Sequence, residues 1–201
     1  MLKTIGNTIV VFIVGLSILF FLTDGLNAFT SEGARRYEIE QQPIELPNIY
    51  LLDTKGNYFL IQDYSEKIVL VDFIFTKCRS VCPIITQNFK KLHTRLKRSL
   101  MAKNVVLLTI SFDPDSDTPP VLARYSKAVG ADTHDWIFAT VENKLQLQVL
   151  LDTFGIVVIP SPDGQFEHNA AIHLVDRSGR LAKIFDYDSI ELILQELMTR
   201  V

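Results

Sequence analysis

The chain has 201 residues, enough for one compact domain with material left for an anchor or a linker. Its 20 Lys and Arg against 23 Asp and Glu give a net charge of −3, so it lacks the basic surplus that proteins use to neutralise nucleic-acid phosphates. A composition of 48% hydrophobic and 21% charged residues excludes intrinsic disorder, and two cysteines exclude a disulfide-rich scaffold. We therefore expect a globular protein with no nucleic-acid partner.

An uncharged apolar segment lies near the amino terminus. Residues 5–22 reach the lower limit of length for a transmembrane helix, with Lys3 before the segment and Asp24 after it. The positive-inside preference then places the short tail in the cytoplasm and exports the rest of the chain. A cleavable signal peptide is the alternative, but the segment is longer than the usual signal core and only the weak site Leu26-Asn27-Ala28 follows it. We predict an uncleaved transmembrane anchor over 1–22, a polar tether over 23–42 and a folded domain over 43–201.

Apolar periodicity predicts alternating strands and helices across the exported part. Residues 68–75 and 105–112 are near-continuous apolar runs, typical of strands covered on both faces. In chain order we predict a hairpin within 48–60, strand 68–75, helix 83–100, strand 105–112, helix 119–129, strand 136–140, helix 142–154, a hairpin of strands 170–175 and 181–185, and helix 189–198. This order predicts a mixed α/β sheet with helices on both faces.

The two cysteines, Cys78 and Cys82, lie where strand 68–75 gives way to the helix that Pro83 begins. In a first helical turn, a spacing of four residues puts both sulfurs on one face. The unpaired N–H groups of that turn favour the thiolate over the thiol. A thiolate can bind a metal, attack a disulfide or attack a peroxide. A structural disulfide is the alternative, although closing so small a loop stabilises a fold little.

His168 is the natural third member of such a site. It follows the turn-forming run 160–164, in a stretch we expect to be irregular, and loops commonly offer ligands. A loop histidine on its own is more often a solvated side chain, and we expect His93, His134 and His173 to be structural or surface residues. Two thiolates and one imidazole suit Cu(I), and the same set can hold Zn²⁺ with an open fourth position. The residues alone leave both metals open.

Three further motifs extend the pattern around these residues. They are Thr-Lys-Cys-Arg-Ser-Val-Cys-Pro at 76–83, Ser-Phe-Asp-Pro-Asp-Ser-Asp-Thr-Pro at 111–119, and Glu-His at 167–168 ahead of Leu-Val-Asp-Arg-Ser-Gly-Arg at 174–180. Together they resemble the motifs of the Sco/SenC family. The resemblance covers roughly residues 43–199. It implies a thioredoxin-like fold and a copper-binding, thiol-active protein that helps to assemble the dinuclear copper centre of cytochrome c oxidase.

The resemblance also implies roles for individual residues. Cys78, Cys82 and His168 would be the copper ligands. Asp113 and Asp117 would form an acidic element that supports the site or contacts a partner; helix capping by Asp117 is the alternative. The chain departs from the family pattern between the cysteines, where Arg79 and Ser80 replace the common Pro and acidic residue. A cation beside the sulfurs lowers a thiol pKa and opposes a bound copper cation, which favours redox chemistry.

The function predicted first is a membrane-tethered copper metallochaperone for cytochrome c oxidase, carrying Cu(I) or Cu(II). Its partners would be the copper-bearing subunit of the oxidase or another copper chaperone. The alternative is a thiol-disulfide oxidoreductase that keeps a partner's copper-ligand cysteines reduced, with Cys78 attacking and Cys82 resolving. A third possibility is a passive module that docks an acidic partner or lipid headgroups through the basic face of helix 83–100. The short leader without an Arg-rich transit segment favours the bacterial periplasm over the mitochondrial intermembrane space.

Overall fold

The computed structural model describes residues 2–22, 30–131 and 134–201, and the chain divides into two compact units, Met1–Pro43 and Ile44–Val201. The first unit contains helix α1 (Leu2–Leu22) and helix α2 (Ser31–Gln41). Within the described ranges, no helix combines the length and the apolar character that crossing a membrane requires. The predicted anchor and its tether stay predictions, and residues 23–29 of the tether lie outside the described ranges.

Helix α2 was not predicted, because its segment has no apolar stripe. Local polar contacts stabilise it instead. The Thr30 side chain caps the helix by accepting the backbone N–H of Gly33 at 3.0 Å, and the Glu32 carboxylate forms ion pairs with Arg35 and Arg36 at 2.8 Å each. Such contacts leave only a weak signal in a sequence read for hydrophobic periodicity.

The second unit is an α/β structure built on a mixed sheet. Its described elements are β1 (Ile44–Glu45), β2 (Leu51–Asp53), β3 (Tyr58–Phe59), β4 (Ile68–Ile74), α3 (Cys82–Lys97), β5 (Val105–Ser111), α4 (Pro119–Val129), β6 (Trp136–Thr140), α5 (Lys144–Phe154), β7 (Val158–Pro160), β8 (Phe166–His168), β9 (Ala171–Val175), β10 (Arg180–Asp186) and α6 (Ile190–Arg200). Eight strands form one sheet in the order β1-β10-β9-β4-β5-β6-β2-β3, and β7 pairs with β8 separately. Strands β4, β5 and β6 are parallel, and β9 joins β4 in the antiparallel sense.

The predicted mixed sheet with flanking helices is confirmed. Some helix ends differ from the predicted ones, and local contacts explain the differences. Helix α5 begins at Lys144 because the Asn143 side chain accepts the N–H groups of the first turn, and α4 and α5 end where Gly130 and Gly155 adopt φ of +74° and +68°. The helix predicted over 83–100 ends at Lys97, and a short 3₁₀ turn over Leu100–Lys103 leads into β5. The short strands β1, β7 and β8 were not predicted.

Helices cover both faces of the sheet. On one face, Leu70 of β4 and Leu107 of β5 belong to a core cluster with Phe89 of α3 and Leu197 of α6. Side chains alternate along a strand, so Phe73 points to the opposite face, where its ring lies 5.1 Å from that of Phe154 in α5. Strand β4 is therefore buried along its whole length, as its continuous apolar sequence indicates.

The parallel register of β4 and β5 positions the motif-bearing loops. Ile74 pairs with Ser111, so the two strands end side by side at the same edge of the sheet. The loop after β4 carries Cys78 and leads into Cys82, the first residue of α3, and the loop after β5 carries Asp113 and Asp117. Loops at the carboxyl ends of parallel strands are where α/β proteins commonly place their sites.

Asp72, in the middle of β4, has no exposed surface. Burial raises its pKa to about 7. The folded protein therefore keeps this proton up to about pH 7, whereas an unfolded chain releases it near the ordinary value of 3.8. The contribution of Asp72 to stability is then full below pH 4, falls as the pH rises from 4 to 7, and is flat above pH 7.

We expect the Asp72→Asn substitution to remove this pH dependence. The free energy of unfolding of the parent, measured against that of the variant by chemical denaturation, should fall by up to about 4 kcal/mol between pH 4 and pH 7. The matched control is Asp188→Asn, at an exposed carboxylate, which should follow the parent. A parent and an Asp72→Asn variant with parallel pH profiles would show that the buried carboxylate titrates normally.

Candidate metal centre

The loop between β4 and α3 brings the two cysteine sulfurs together. Cys82 is the first residue of α3, and its backbone N–H donates to Sγ of Cys78 at 3.3 Å. The prediction that both cysteines lie in the first helical turn is wrong for Cys78, which lies in the loop with its own N–H bonded to the Phe75 carbonyl at 3.2 Å. The sulfurs converge because the chain turns before the helix, and an unpaired N–H of the first turn still meets a sulfur, as predicted.

His168 reaches the cysteines from a second element, the hairpin of β7 and β8. It is the last residue of β8, opposite Val158, rather than part of an irregular stretch as expected from the sequence. Its Nε2 lies 3.3 Å from Sγ of Cys82. The other ring nitrogen, Nδ1, lies 3.1 Å from the Asn169 carbonyl, which can only accept a hydrogen bond, so Nδ1 carries the proton. The lone pair of Nε2 therefore points at the cysteines.

The three side chains form one compact group. One ligand atom each from Cys78, Cys82 and His168 lie within 4.8 Å of one another, which is close enough for a single ion to contact all three. Both cysteines are buried and His168 is half-buried. The structure thus assembles, from two separate elements, the three residues selected from the sequence.

A wall of phenylalanine rings lies against the imidazole. The Phe112 ring is 4.9 Å from the His168 ring and 5.8 Å from Phe166, and Phe75 is 5.4 Å from Phe112. These rings fix the plane of the imidazole by packing, and they keep water from its inner face. Burial lowers the pKa of His168, so the ring is neutral near pH 7 and free to act as a ligand.

The two thiols have different acidities. Burial acts to raise the pKa of Cys78, but hydrogen bonds from Cys82 and from Ser80 outweigh it, and the pKa lies below the ordinary value of 9.0. Burial raises the pKa of Cys82, and the neighbouring Cys78 sulfur raises it further. Cys78 is therefore the sulfur that ionises first, and Cys82 is the protonated partner beside it.

Asp117 fixes the loop that carries the cysteines. Its buried carboxylate accepts the Thr76 backbone N–H at 2.9 Å, the Thr76 hydroxyl at 2.5 Å and the Ser111 hydroxyl at 2.5 Å. The residue before the first turn of α4 is Thr118, so Asp117 supports the site rather than capping that helix. Asp113 accepts the Ser116 N–H at 3.4 Å within its own loop. The support role inferred for the acidic element therefore falls to Asp117.

Two other histidines of the second unit, His93 and His173, serve different purposes. His93 is buried and its Nε2 lies 2.7 Å from a carboxylate oxygen of Asp135, while His173 is buried in β9 with Nε2 3.1 Å from the Phe154 carbonyl. Both rings contact aromatic side chains of the core. Neither is part of the metal-ligating group formed by the described residues.

Comparison with known proteins identifies the family. The family model described as SCO1/SenC matches residues 39–200, which contain every residue of the centre. The chain belongs to the SCO1/SenC family. The family resemblance inferred from the motifs is therefore confirmed, over slightly more of the chain than the motifs covered.

Individual SCO1/SenC relatives agree with this assignment. The SCO1 protein homolog of Bacillus subtilis is 29% identical over 140 residues, covering 68% of this chain and 69% of its own. The structure of an SCO1/SenC family lipoprotein from Bacillus anthracis is 26% identical with a TM-score of 0.72, over 79% of this chain and 96% of its own. These similarities confirm the α/β thioredoxin-like fold.

Two further SCO1/SenC structures are similar in fold. BsSco, a member of the Sco family of cytochrome c oxidase assembly proteins in which a disulfide switch was identified, has a TM-score of 0.69 at 22% identity, over 79% of this chain and 94% of its own. ScoI of Bradyrhizobium japonicum with copper bound has a TM-score of 0.66 at 22% identity, over 78% of this chain and 99% of its own.

The acidity difference between the thiols predicts selective alkylation. Because the thiolate is the reactive form, a brief treatment of the reduced protein with iodoacetamide at pH 7.5 should modify Cys78 well ahead of Cys82. The pH–rate profile of Cys78 should have its midpoint below the ordinary value of 9.0. Peptide mapping by mass spectrometry measures both cysteines in one sample. Equal modification of the two would contradict the hydrogen-bond arrangement described above.

The Asp117 contacts predict a loss of stability on Asp117→Asn. An amide offers one acceptor oxygen and places N–H groups against the donors of Thr76 and Ser111, so the free energy of unfolding should fall by about 1–3 kcal/mol. Chemical denaturation measures this change. The control is Asp115→Asn in the same loop, where an exposed ion pair with Lys144 is lost and little change is expected. Equal effects of the two substitutions would argue against the buried bonds.

Proposed function

We propose that this protein is a membrane-tethered copper metallochaperone that assists assembly of the copper centre of cytochrome c oxidase. The observation that carries the proposal is the group of Cys78, Cys82 and His168, with one ligand atom of each within 4.8 Å of the others. Two thiolates and a neutral imidazole are the donors that Cu(I) prefers, whereas metals such as Mg²⁺ and Ca²⁺ prefer oxygen ligands. The same donors can hold Zn²⁺, so both metals belong in the test.

The surroundings of the group suit a metal ligand set. The Asn169 carbonyl holds Nδ1 of His168 and leaves Nε2 facing the sulfurs, which is the usual way a protein orients a ligating histidine. The Phe112 ring packs on the imidazole and excludes water from one side. The site therefore needs little rearrangement to receive an ion, since His168 already faces the sulfurs.

Thiol oxidation offers a means of controlling metal affinity. A cysteine binds metal as the thiolate, so binding is strongest when both cysteines are reduced. When the Cys78 and Cys82 sulfurs join in a disulfide, two electrons pass to an oxidant such as a partner's disulfide, which is reduced to two thiols. Two of the three ligands are then lost. In the proposed cycle, the thiol state of this pair decides whether the chain retains or releases copper.

The recipient and the location form part of the same proposal. We infer delivery to the copper-bearing subunit of the oxidase or to another copper chaperone, at the periplasmic face of a bacterial inner membrane. The support is the family assignment, the description of BsSco as a member of a family of oxidase assembly proteins, and the uncharged run over residues 5–22. The lipoprotein of Bacillus anthracis gives a membrane-attached precedent in a relative.

Anaerobic titration of the reduced full chain with Cu(I), against a competing chelator, tests the proposed function. We expect one copper per chain. Cys78→Ser and Cys82→Ser should abolish competition, and His168→Ala should weaken binding by at least tenfold, because each removes one of three ligands. His134→Ala is the matched control, since that residue is outside the ligand group, and it should bind as the parent does. A parallel titration with Zn²⁺ determines which metal the site prefers.

Two outcomes would contradict the metallochaperone proposal. A reduced parent that fails to compete for Cu(I) would remove copper carriage as the function. A His168→Ala variant that retains copper as tightly as the parent would remove His168 from the ligand set.

The pairing of an acidic thiol with a protonated one favours a second candidate, a thiol-disulfide oxidoreductase. The Cys78 thiolate would attack a partner's disulfide, form a mixed disulfide and release one partner thiolate. Cys82 would then lose its proton and attack the Cys78 sulfur, releasing the second thiolate and leaving a Cys78–Cys82 disulfide. A Cys82→Ser variant should trap the mixed disulfide with a disulfide-bonded peptide. Trapping without Cu(I) competition by the parent would favour this function over copper carriage.

A further inference from the structure

The side chain of Gln165 joins the two elements that form the centre. This residue immediately precedes β8, the strand that ends at His168. Its Oε1 accepts the backbone N–H of Arg79 at 3.2 Å, and its Nε2 donates to the backbone carbonyl of Lys77 at 3.4 Å. The carboxamide therefore contacts the cysteine loop on both sides of Cys78.

These two bonds have the pattern of a parallel β-bridge. In such a bridge, one residue donates its N–H to the carbonyl before its partner and accepts the N–H after it. Here the Gln165 carboxamide takes the place of a backbone peptide unit and Cys78 is the partner residue. The bonds orient the peptide groups that flank Cys78, which fixes the direction of its Cα–Cβ bond.

We infer that Gln165 is a positioning residue of the centre, setting the separation between the Cys78 sulfur and the His168 imidazole. The inference deepens the proposed function and rests on it only where copper is concerned. His168 belongs to a two-stranded hairpin separate from the main sheet, whereas Cys78 belongs to a loop that leaves that sheet. The carboxamide links the two directly, so the hairpin and the loop hold one relative position.

The chemistry of the carboxamide makes the inference testable. The site uses one donor and one acceptor of the side chain, and a carboxylate of almost the same size is an acceptor only. Gln165→Glu therefore keeps the packing, removes the bond to Lys77 and places a carboxylate against a carbonyl. Gln165→Ala removes both bonds. Gln165→Glu can still accept the Arg79 N–H, so it tests the Lys77 bond alone, whereas Gln165→Ala tests both bonds.

The experiment compares the reduced full chain with Gln165→Glu and Gln165→Ala, and uses Gln195→Glu on α6 as a control at an exposed glutamine. Amide hydrogen exchange at Arg79, measured without copper, reports the hydrogen bond to Gln165 directly, and we expect this amide to exchange at least fivefold faster in Gln165→Ala, which loses that bond, than in the parent. Competition titration should show Cu(I) affinity lower by about tenfold, as is usual when a residue that orients a ligand is lost. Unfolding midpoints in denaturant should stay close to that of the parent, and the control should match the parent throughout.

Each outcome decides whether Gln165 positions the ligands of the centre, only stabilises the fold, or does neither. Unchanged exchange at Arg79 in Gln165→Ala would overturn the inference. So would a loss of affinity accompanied by a matching fall in global stability, which would make the residue merely structural. Faster exchange with unchanged Cu(I) affinity would also overturn it, because the two hydrogen bonds of Gln165 would then not set the ligand geometry. If the parent itself fails to bind Cu(I), the proposed function fails, and exchange together with alkylation of Cys78 still decides whether Gln165 positions that sulfur.

Discussion

The buried carboxylate of Asp117 holds the loop on which the rest of the centre depends. It accepts the N–H and hydroxyl of Thr76, two residues before Cys78, and the hydroxyl of Ser111 at the end of the neighbouring strand. Because Asp117 itself follows β5, the bonds tie together two loops that leave the same edge of the sheet. Buried hydrogen bonds are costly to break, so these three bonds restrain the path that the chain takes as it leaves β4. The position of Cys78 follows from this constraint.

The centre is assembled from parts with different stiffness. The cysteines follow a fully buried central strand, whereas His168 is carried by a hairpin of two three-residue strands. Short isolated hairpins are marginally stable on their own, so the side-chain contacts of this one matter. The Asn169 side chain accepts the Val157 N–H and donates to the Gly155 carbonyl, both at 2.8 Å, and the Phe166 ring lies 5.0 Å from Phe75. These contacts attach the hairpin that carries His168 to the more rigid part of the fold that carries the two cysteines.

Much of the second unit was predictable because its helices and long strands bury continuous or periodic apolar residues. The three candidate ligands were also predictable, since Cys78 and Cys82 carry distinctive chemistry and His168 belongs to a motif that resembles a known family. The hairpin of β7 and β8 was not, because three-residue strands among prolines leave no periodic pattern. The role of Gln165 was equally hidden, since a glutamine at the start of a strand has no special meaning until its two backbone partners are known.

The acidity of the Cys78 thiol also depends in part on tertiary contacts that the sequence does not reveal. Sequence reasoning assigned a lowered thiol pKa to the helix terminus and to Arg79. In the folded chain the pKa of Cys78 is lowered by hydrogen bonds from the Cys82 thiol, from the Cys82 backbone N–H and from Ser80, and the Arg79 side chain is exposed. Because Cys82 is the first residue of α3, its N–H is the predicted contribution of the helix terminus. The direction of the shift could be predicted from residue types. The contributions of the Cys82 thiol and of Ser80 required the path of the loop, which tertiary contacts decide.

The strand order of the sheet also bears on the order in which the parts of the centre come together during folding. The central strand β4 pairs with β9, which lies about 100 residues further along the chain, and such distant pairing is slow to form. A chain is made from its amino terminus, so both cysteines emerge well before β9 and before the hairpin that carries His168. During that interval the sulfurs lack their imidazole neighbour and meet the redox conditions of the compartment alone. The thiol state of the pair is then set first by the environment in which the chain folds, and the proposed copper carriage would require the pair to be reduced before an ion can bind.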